Sequence, residues 1–137
     1  LDLGSGGGFP GILLSITNPS NNISLLESNN KKCYFLRKIS HELNLKNTTV
    51  INKTIYENNQ LGSFDIIVSR AFATIEKTIN LTKTNTHKST KYLLLKGKES
   101  VIKKELKDID KNKFRYEIIK QEAGLKERNI VLLKNNE

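Results

Sequence analysis

A cluster of glycines near the start of the chain is the feature best suited to chemistry. Five of them fall within eight residues of the segment LDLGSGGGFPG, between a short apolar stretch and a proline that can open a helix. Such a turn lets the backbone bend sharply and lets its amide groups approach a ligand closely. The helix that follows adds unpaired N–H groups and the positive end of its dipole, which together favour an anionic or nucleotide-like ligand.

An acidic side chain stands where the second strand of such a fold would end. Glu27 lies 19 residues after Gly8, near the end of the apolar run NISLLES. A carboxylate at that place can accept hydrogen bonds from the hydroxyl groups of a ribose. The turn and Glu27 together therefore predict a site for a nucleoside-bearing ligand.

Two glycine patterns overlap in this turn. The pattern DxGxGxG, which begins at Asp2, is typical of S-adenosylmethionine-dependent methyltransferases. The pattern GxGxxG, which begins at Gly6, suits an NAD-type oxidoreductase and is a weak signal by itself. The oxidoreductase would also need hydride-transfer residues, which are not recognisable in the sequence.

The elements that would position these residues alternate between strands and helices. The predicted strands are Leu1–Leu3, Asn22–Ser28, Thr48–Lys53, Phe64–Ser69, Lys91–Lys96, 114–121 and 129–134. The predicted helices are Pro10–Ile16, Asn30–Leu45, Ile75–Leu81 and Ser100–Ile109. This order predicts an α/β fold with a mainly parallel seven-stranded sheet and helices on both faces. The last two strands have no helix between them and predict an antiparallel edge strand.

Composition bounds the class of protein further. The formal charge is +9, which predicts a polyanion partner such as nucleic acid, although A/T-rich coding would also produce many lysines. No apolar run approaches the ~20 residues of a membrane span, and the lone Cys33 fits a reducing compartment. We therefore expect one cytoplasmic domain over residues 1–137, without a membrane or a metal.

The absence of methionine, even at position 1, predicts that upstream sequence is missing.

Four strings carry a resemblance to a known family: DLGSGGGFPGI, LLESNNKKCYFLR, FDIIVSRAFA and LLLKGK. Together they resemble the RsmG (GidB) family, bacterial methyltransferases that act on guanine N7 in 16S ribosomal RNA. The resemblance runs over the whole chain, through ERNIVLLK near its end. It implies a Rossmann-like methyltransferase fold with a helical segment before the first strand, S-adenosyl-L-methionine as cofactor, and 16S rRNA or the small ribosomal subunit as partner of a monomer.

The glycine pattern and the resemblance together define three sets of candidate residues. The cofactor-binding set is Asp2, Gly4, Gly6, Gly8, Phe9, Glu27, Ser28, Ile55, Tyr56 and Arg70. The catalytic set is Arg70, Lys96 and Arg128. The RNA-binding set is Lys53, Lys96, Lys98 and Arg128. Of the four arginines, Arg115 alone falls outside the family's motifs.

The chain departs from the family after the third strand. The family usually has Arg-x-Glu there, where this chain has Thr54-Ile55-Tyr56. The missing arginine is either replaced by Lys53 or not replaced, and a polar side chain near the adenosine is lost unless Glu57 compensates for the missing glutamate. Backbone contacts at these positions would survive. A non-catalytic or decayed RNA-binding fragment of the same fold is therefore an alternative.

Methyl transfer to guanine N7 needs positioning more than proton transfer, because N7 already carries a free lone pair. We expect Arg70 to contact the carboxylate of the cofactor or guanine O6. Lys96, Lys98 and Arg128 would then hold phosphates of the RNA.

Overall fold

The computed structural model describes residues 1–121, 124 and 126–136. The strands are β1 (Asp2–Leu3), β2 (Ile23–Glu27), β3 (Thr48–Asn52), β4 (Ile66–Arg70), β5 (Lys91–Lys96), β6 (Phe114–Gln121) and β7 (Arg128–Asn135). The helices are α1 (Gly11–Thr17), α2 (Asn30–Glu42), α3 (Ile75–Thr82) and α4 (Glu99–Glu105), with short 3₁₀ turns at Lys83–Asn85 and Leu106–Asp108. The order of strands and helices is the one that the sequence predicts, with β4 following β3 directly.

One seven-stranded sheet has the strand order β3-β2-β1-β4-β5-β7-β6. β1 pairs in parallel with β2 and β4, and β2 pairs in parallel with β3. β7 pairs antiparallel with both β5 and β6. The α/β class and the mainly parallel sheet are thus confirmed, with the antiparallel strand one place inside the edge because β7 inserts between β5 and β6.

The first compact unit comprises Leu1–Ile55 and Val68–Arg70. Its interior is built from apolar side chains of the strands and of α2, namely Leu1, Leu3, Leu25, Leu26, Cys33, Leu36 and Val68. α2 begins after Asn29, whose side chain accepts a hydrogen bond from the backbone N–H of Lys32. This cap satisfies one of the unpaired donors of the first turn and sets the start of the helix.

α1 packs closely against β1 and β2 because its first residue has no side chain. A Cβ at Gly11 would meet the side chain of Leu25 and the carboxylate of Asp2, whereas a Cβ at Gly7 would meet nothing within 4 Å. The backbone N–H of Gly11 donates to Oδ2 of Asp2 at 3.0 Å. The close approach therefore joins the start of the helix to the first strand.

The second compact unit comprises Tyr56–Ile67 and Ala71–Glu137. Its buried apolar side chains are Ile67, Ile75, Tyr92, Leu94, Ile102, Leu106, Ile109, Val131 and Leu133. The hydroxyl of Tyr92 lies 3.0 Å from Oγ1 of Thr82, so the one polar atom of that buried ring is paired. Thr74 caps α3 by accepting from the N–H of Lys77.

Several predicted boundaries are wrong by two to four residues. α2 ends at Glu42 and does not reach Leu45, because Asn44 adopts a left-handed conformation with φ of 52°. α4 gives way to a 3₁₀ turn after Glu105, before the predicted end at Ile109. β4 begins at Ile66, since the N–H of Phe64 bonds outside the sheet, to the carbonyl of Asn85.

Gly11→Ala should lower the free energy of unfolding by about 1–3 kcal/mol, because a methyl group there forces β1, β2 or α1 to shift. Gly7→Ala is the matched control and should change it by less than about 0.5 kcal/mol. Urea denaturation of both variants measures the difference. Equal losses would show that α1 does not depend on this close approach.

Candidate active site

The glycine turn is tied to the carboxyl end of β2. The backbone N–H groups of Gly4 and Ser5 both donate to the carbonyl of Leu26, at 2.9 and 3.0 Å. Gly8 has φ of 92°, and a side chain there would collide with Ile12. Only glycine fits that position without strain. The turn is therefore held at the ends of β1 and β2, where ligands bind in open α/β sheets.

Glu27 is the last residue of β2, and its carboxylate faces the turn. Oε2 accepts a hydrogen bond from the N–H of Gly6, and Oε1 accepts one from the N–H of Asn29, both at 2.9 Å. The side chain is mostly covered, since the residue is 8% exposed. A carboxylate has about four acceptor positions, so two remain for a ligand. The predicted ribose acceptor thus lies at the predicted turn.

Asp2 lies beneath the same turn and is almost fully buried. Its Oδ2 accepts from Gly11, but its Oδ1 is buried with no hydrogen-bond partner among the described residues. Burial raises the pKa of this carboxyl above its ordinary value. An unmet acceptor of this kind attracts a donor or a cation, such as an ammonium group of a ligand.

Arg70 ends β4 and stacks on the turn. Its guanidinium carbon lies 4.9 Å from the centre of the Phe9 ring, which is a cation–π distance. No hydrogen bond or ion pair joins that guanidinium to another residue of the described ranges. The next residue, Ala71, has φ of 53°, an uncommon conformation for a side chain with a Cβ. Stacking fixes the side chain while its planar set of donors stays available.

The remaining candidates for the cofactor and the RNA in this part of the chain follow β2 and β3. Ser28 follows β2 and is exposed, and Lys53 follows β3 and is also exposed. Ile55 is half-buried and is the last residue of the segment Leu1–Ile55 of the first unit. Tyr56 begins the second unit, and its ring is 64% exposed.

Lys96 is paired with a residue that the sequence analysis missed. Its Nζ lies 2.8 Å from Oε2 of Glu105 and donates to the carbonyl of Ala73 at 2.6 Å. The same Glu105 oxygen accepts from the N–H of Ile75, the first residue of α3. The sequence does contain a signal for Glu105. It lies three positions after Ile102, which is buried, and therefore on the face of α4 that packs inward.

Two further residues that the sequence analysis missed, Glu127 and Asn129, connect the backbone beside Lys98 to the backbone beside Arg128. Oε1 of Glu127 accepts from the N–H of Glu99 at 2.7 Å and from Nδ2 of Asn129 at 3.1 Å. Asn129 also donates to the carbonyl of Gly97 at 2.7 Å. These contacts join the segment before α4 to the start of β7, so two exposed basic side chains, Lys98 and Arg128, stand on linked backbone.

Glu99 is a third acidic group at this end of β5. Hydrogen bonds from Lys103 and Lys120 lower its pKa to about 2. The carboxylate is therefore ionised throughout the physiological range and pairs with two lysines, Lys103 on α4 and Lys120 on β6.

Within the described ranges, no group of three or more His, Cys, Asp or Glu residues could hold a metal ion. In that part of the chain no helix combines the length and apolar character that crossing a membrane requires. Cys33 is buried, and its thiol donates to the carbonyl of Glu27 at 3.1 Å, so it packs beneath the site.

Comparison with known proteins decides the family. The profile of the GidB family, described as rRNA small subunit methyltransferase G, matches residues 1–131. The chain belongs to this family. The family favours the methyltransferase pattern of glycines that begins at Asp2 over the oxidoreductase pattern.

Relatives of the chain carry the same family name. It is 40% identical over 135 residues to the ribosomal RNA small subunit methyltransferase G of Brachyspira hyodysenteriae, which covers 97% of this chain and 65% of that relative. It is 42% identical over 97 residues to the protein of the same name from Pseudomonas entomophila, covering 71% of this chain and 45% of the relative. The chain thus spans about half to two thirds of the length of these family members.

The fold is shared with solved methyltransferase structures. The precorrin-6y C5,15-methyltransferase of Geobacter metallireducens superposes with a TM-score of 0.76 at 16% identity, covering 98% of this chain and 78% of that one. At such low identity the likeness establishes the Rossmann-like methyltransferase fold alone.

The ion pair between Lys96 and Glu105 should behave as a coupled unit. Lys96→Met and Glu105→Gln should each lower the free energy of unfolding by about 1–3 kcal/mol, because each leaves a largely buried polar partner unmatched. The double variant should lose less than the sum of the two, by about 0.5–3 kcal/mol. Urea denaturation of the four proteins gives this coupling.

The exposed pair Lys38 and Glu42 is the control for that cycle, since its atoms lie 3.8 Å apart on the surface of α2. Its coupling should not exceed about 0.5 kcal/mol. Additive losses at Lys96 and Glu105 would mean that the two side chains do not act as a coupled pair.

Proposed function

We propose that this chain is the methyltransferase domain, over residues 1–137, of a cytoplasmic enzyme that methylates N7 of a guanine in 16S ribosomal RNA. The methyl donor is S-adenosyl-L-methionine, and the partner is the rRNA or the small ribosomal subunit. Membership of the GidB family supports the reaction. The observation that carries the proposal is the Glu27 carboxylate, hydrogen-bonded to the amide of Gly6 in the glycine turn.

The residues around the turn suit this cofactor chemically. The two acceptor positions left on Glu27 suit the ribose hydroxyls, and the unpaired Oδ1 of Asp2 suits the cationic amino group of the methionine part. Gly4 and Gly8 let the backbone come close, and the ring of Phe9 in the turn carries the stacked Arg70. We assign Ser28, Ile55 and Tyr56 to the adenosine end of the site. When bound, the cofactor supplies a methyl group on a positively charged sulfur.

Arg70 has a positioning task in this reaction. Positive charge passes from the sulfur to the purine ring during transfer, so a cation placed against N7 would oppose it. The stacked guanidinium instead contacts the carboxylate of the cofactor or guanine O6, where paired donors fit. No side chain has to remove a proton, because the N7 lone pair is already free.

The basic residues bind the RNA. Lys53, Lys98 and Arg128 are exposed and suit phosphate oxygens. Lys96 uses two of its three donors on Glu105 and Ala73, which leaves one for a phosphate of the RNA. Because A-form helices hide N7 in a deep, narrow groove, the target guanine should lie in a loop or be unstacked.

Glu27 can be tested with a pair of ligands, S-adenosylhomocysteine and its 2′-deoxy analogue. By calorimetry, native protein should bind the deoxy analogue at least tenfold more weakly, because a charged acceptor loses a hydroxyl partner. In Glu27→Gln both ligands should bind weakly and within about threefold of each other. Glu42→Gln, at an exposed carboxylate on α2, is the control and should keep the native discrimination. Equal loss of affinity for both ligands in Glu27→Gln would remove the ribose assignment.

Transfer of a tritiated methyl group to unmodified 16S rRNA and to 30S particles tests the reaction. Native protein should label at least one of these substrates. Arg70→Lys should lower transfer at least tenfold, because lysine cannot both stack and donate two parallel hydrogen bonds. Lys98→Ala should mainly flatten the salt dependence of RNA binding. Cofactor binding without transfer to either substrate would favour the non-catalytic alternative.

A further inference from the structure

A basic cavity lies in the second unit, at the amino end of β5. Its volume is about 520 Å³, and it is lined by Lys88–Lys91, Arg115 and Lys134–Asn136. Lys96 stands at the other end of β5, five residue steps away, or about 17 Å along the strand. The cavity is therefore separate from Lys96, which the proposed function assigns to a phosphate of the RNA.

Three cations of the cavity stand in a row across three strands. Lys91 is directly opposite Lys134 in the pairing of β5 with β7, and Lys134 is directly opposite Arg115 in the pairing of β7 with β6. Directly opposed residues of antiparallel strands project from the same face, with Cβ atoms about 4.5–5.5 Å apart. Like charges in that arrangement repel and destabilise the sheet.

No ion pair among the described residues neutralises this row. The ion pairs within residues 1–121, 124 and 126–136 are made by six other lysines and His87, and none of Lys88, Lys91, Arg115 and Lys134 pairs with a carboxylate there. Among the described residues, two acidic groups are adjacent to this row: Asp65, whose backbone carbonyl accepts from the N–H of Lys91, and Glu117 on β6. Asp65 is bound to Nε2 of His87 at 3.1 Å. Glu117 follows Arg115 by two residues on β6, opposite Leu132.

The walls of the cavity are held by hydrogen bonds. Nδ2 of Asn135 donates to the carbonyls of His87 and Lys88, at 3.2 and 3.0 Å. Oγ1 of Thr90 donates to the carbonyl of Phe64 at 2.7 Å and accepts from the N–H of His87 at 2.9 Å. The turn that carries Lys88 is thus fixed against the end of β7, and the cations are presented on ordered backbone.

We propose that this cavity binds the phosphodiester backbone of the substrate RNA at a second place. The row from Lys91 to Arg115 spans two strand spacings, about 9–10 Å, which is wider than a single phosphate group. None of the described residues that line the cavity is aromatic, so it suits backbone phosphates and not bases. The inference rests on the proposed function, and it adds that the RNA footprint extends along β5 from Lys96 to Lys91.

The test compares two triple variants that remove the same charge. The cavity variant is Lys91→Gln/Arg115→Gln/Lys134→Gln, and the control is Lys77→Gln/Lys104→Gln/Lys107→Gln, three lysines outside the cavity. For unmodified 16S rRNA, the cavity variant should lose at least tenfold in affinity at 100 mM salt. The slope of log K against log salt should fall by about 2, since each phosphate contact contributes about 0.7–0.9. The control should lose less than threefold.

Three further readouts separate the possible outcomes. The cavity variant should bind S-adenosylhomocysteine like native protein, raise the KM for RNA with kcat within twofold, and melt at the same temperature or higher because repulsion is relieved. Equal losses in both triple variants would overturn the inference, since net charge alone would then explain binding. Shifts of the cavity's amide resonances by inorganic phosphate, with RNA affinity unchanged in the cavity variant, would also overturn it and assign the cavity to free phosphate. Failure of the proposed function is distinct: native protein would then transfer no methyl group at any RNA concentration.

Discussion

The hydrogen bond between the Glu27 carboxylate and the amide of Gly6 is the contact on which the candidate site depends. The same carboxylate accepts from Asn29, which caps α2. One side chain therefore joins the glycine turn, the end of β2 and the start of the next helix. If the turn were free to move, neither the unpaired oxygen of Asp2 nor the stacked Arg70 would have a defined position relative to a ligand.

The basic residues fall into two groups, those paired with a carboxylate and those without such a partner among the described residues. Lys96 is largely buried and tied to Glu105, Lys103 and Lys120 share Glu99, and the row in the cavity has no carboxylate in the described part of the chain. A total charge of +9 could reflect composition alone. Directly opposed cations on neighbouring strands are a stronger indication of an anionic partner, because they cost stability in its absence.

Local patterns in the sequence were enough to predict the order of strands and helices, the glycine turn and the place of Glu27. Glycine spacing, apolar runs and capping residues act over a few positions, so they can be read directly. The ends of α2 and α4 were less well predicted, because Asn44 and the 3₁₀ turn at Leu106–Asp108 depend on how each helix meets its surroundings.

Contacts between distant residues could not be predicted in the same way. Glu105 meets Lys96 and the start of α3 only after α4 has packed on the sheet. The cavity requires β7 to insert between β5 and β6, which brings Lys91 opposite Lys134. Arg115 was unremarkable in the sequence for this reason, since its neighbours are set by strand order and register.

A crystal structure of the chain bound to S-adenosylhomocysteine tests the central claim most directly. The account requires both ribose hydroxyls within hydrogen-bond distance of the Glu27 carboxylate, about 2.6–3.0 Å, with the Gly6 contact retained. A ligand bound elsewhere, or a Glu27 side chain turned away from the ribose, would contradict it.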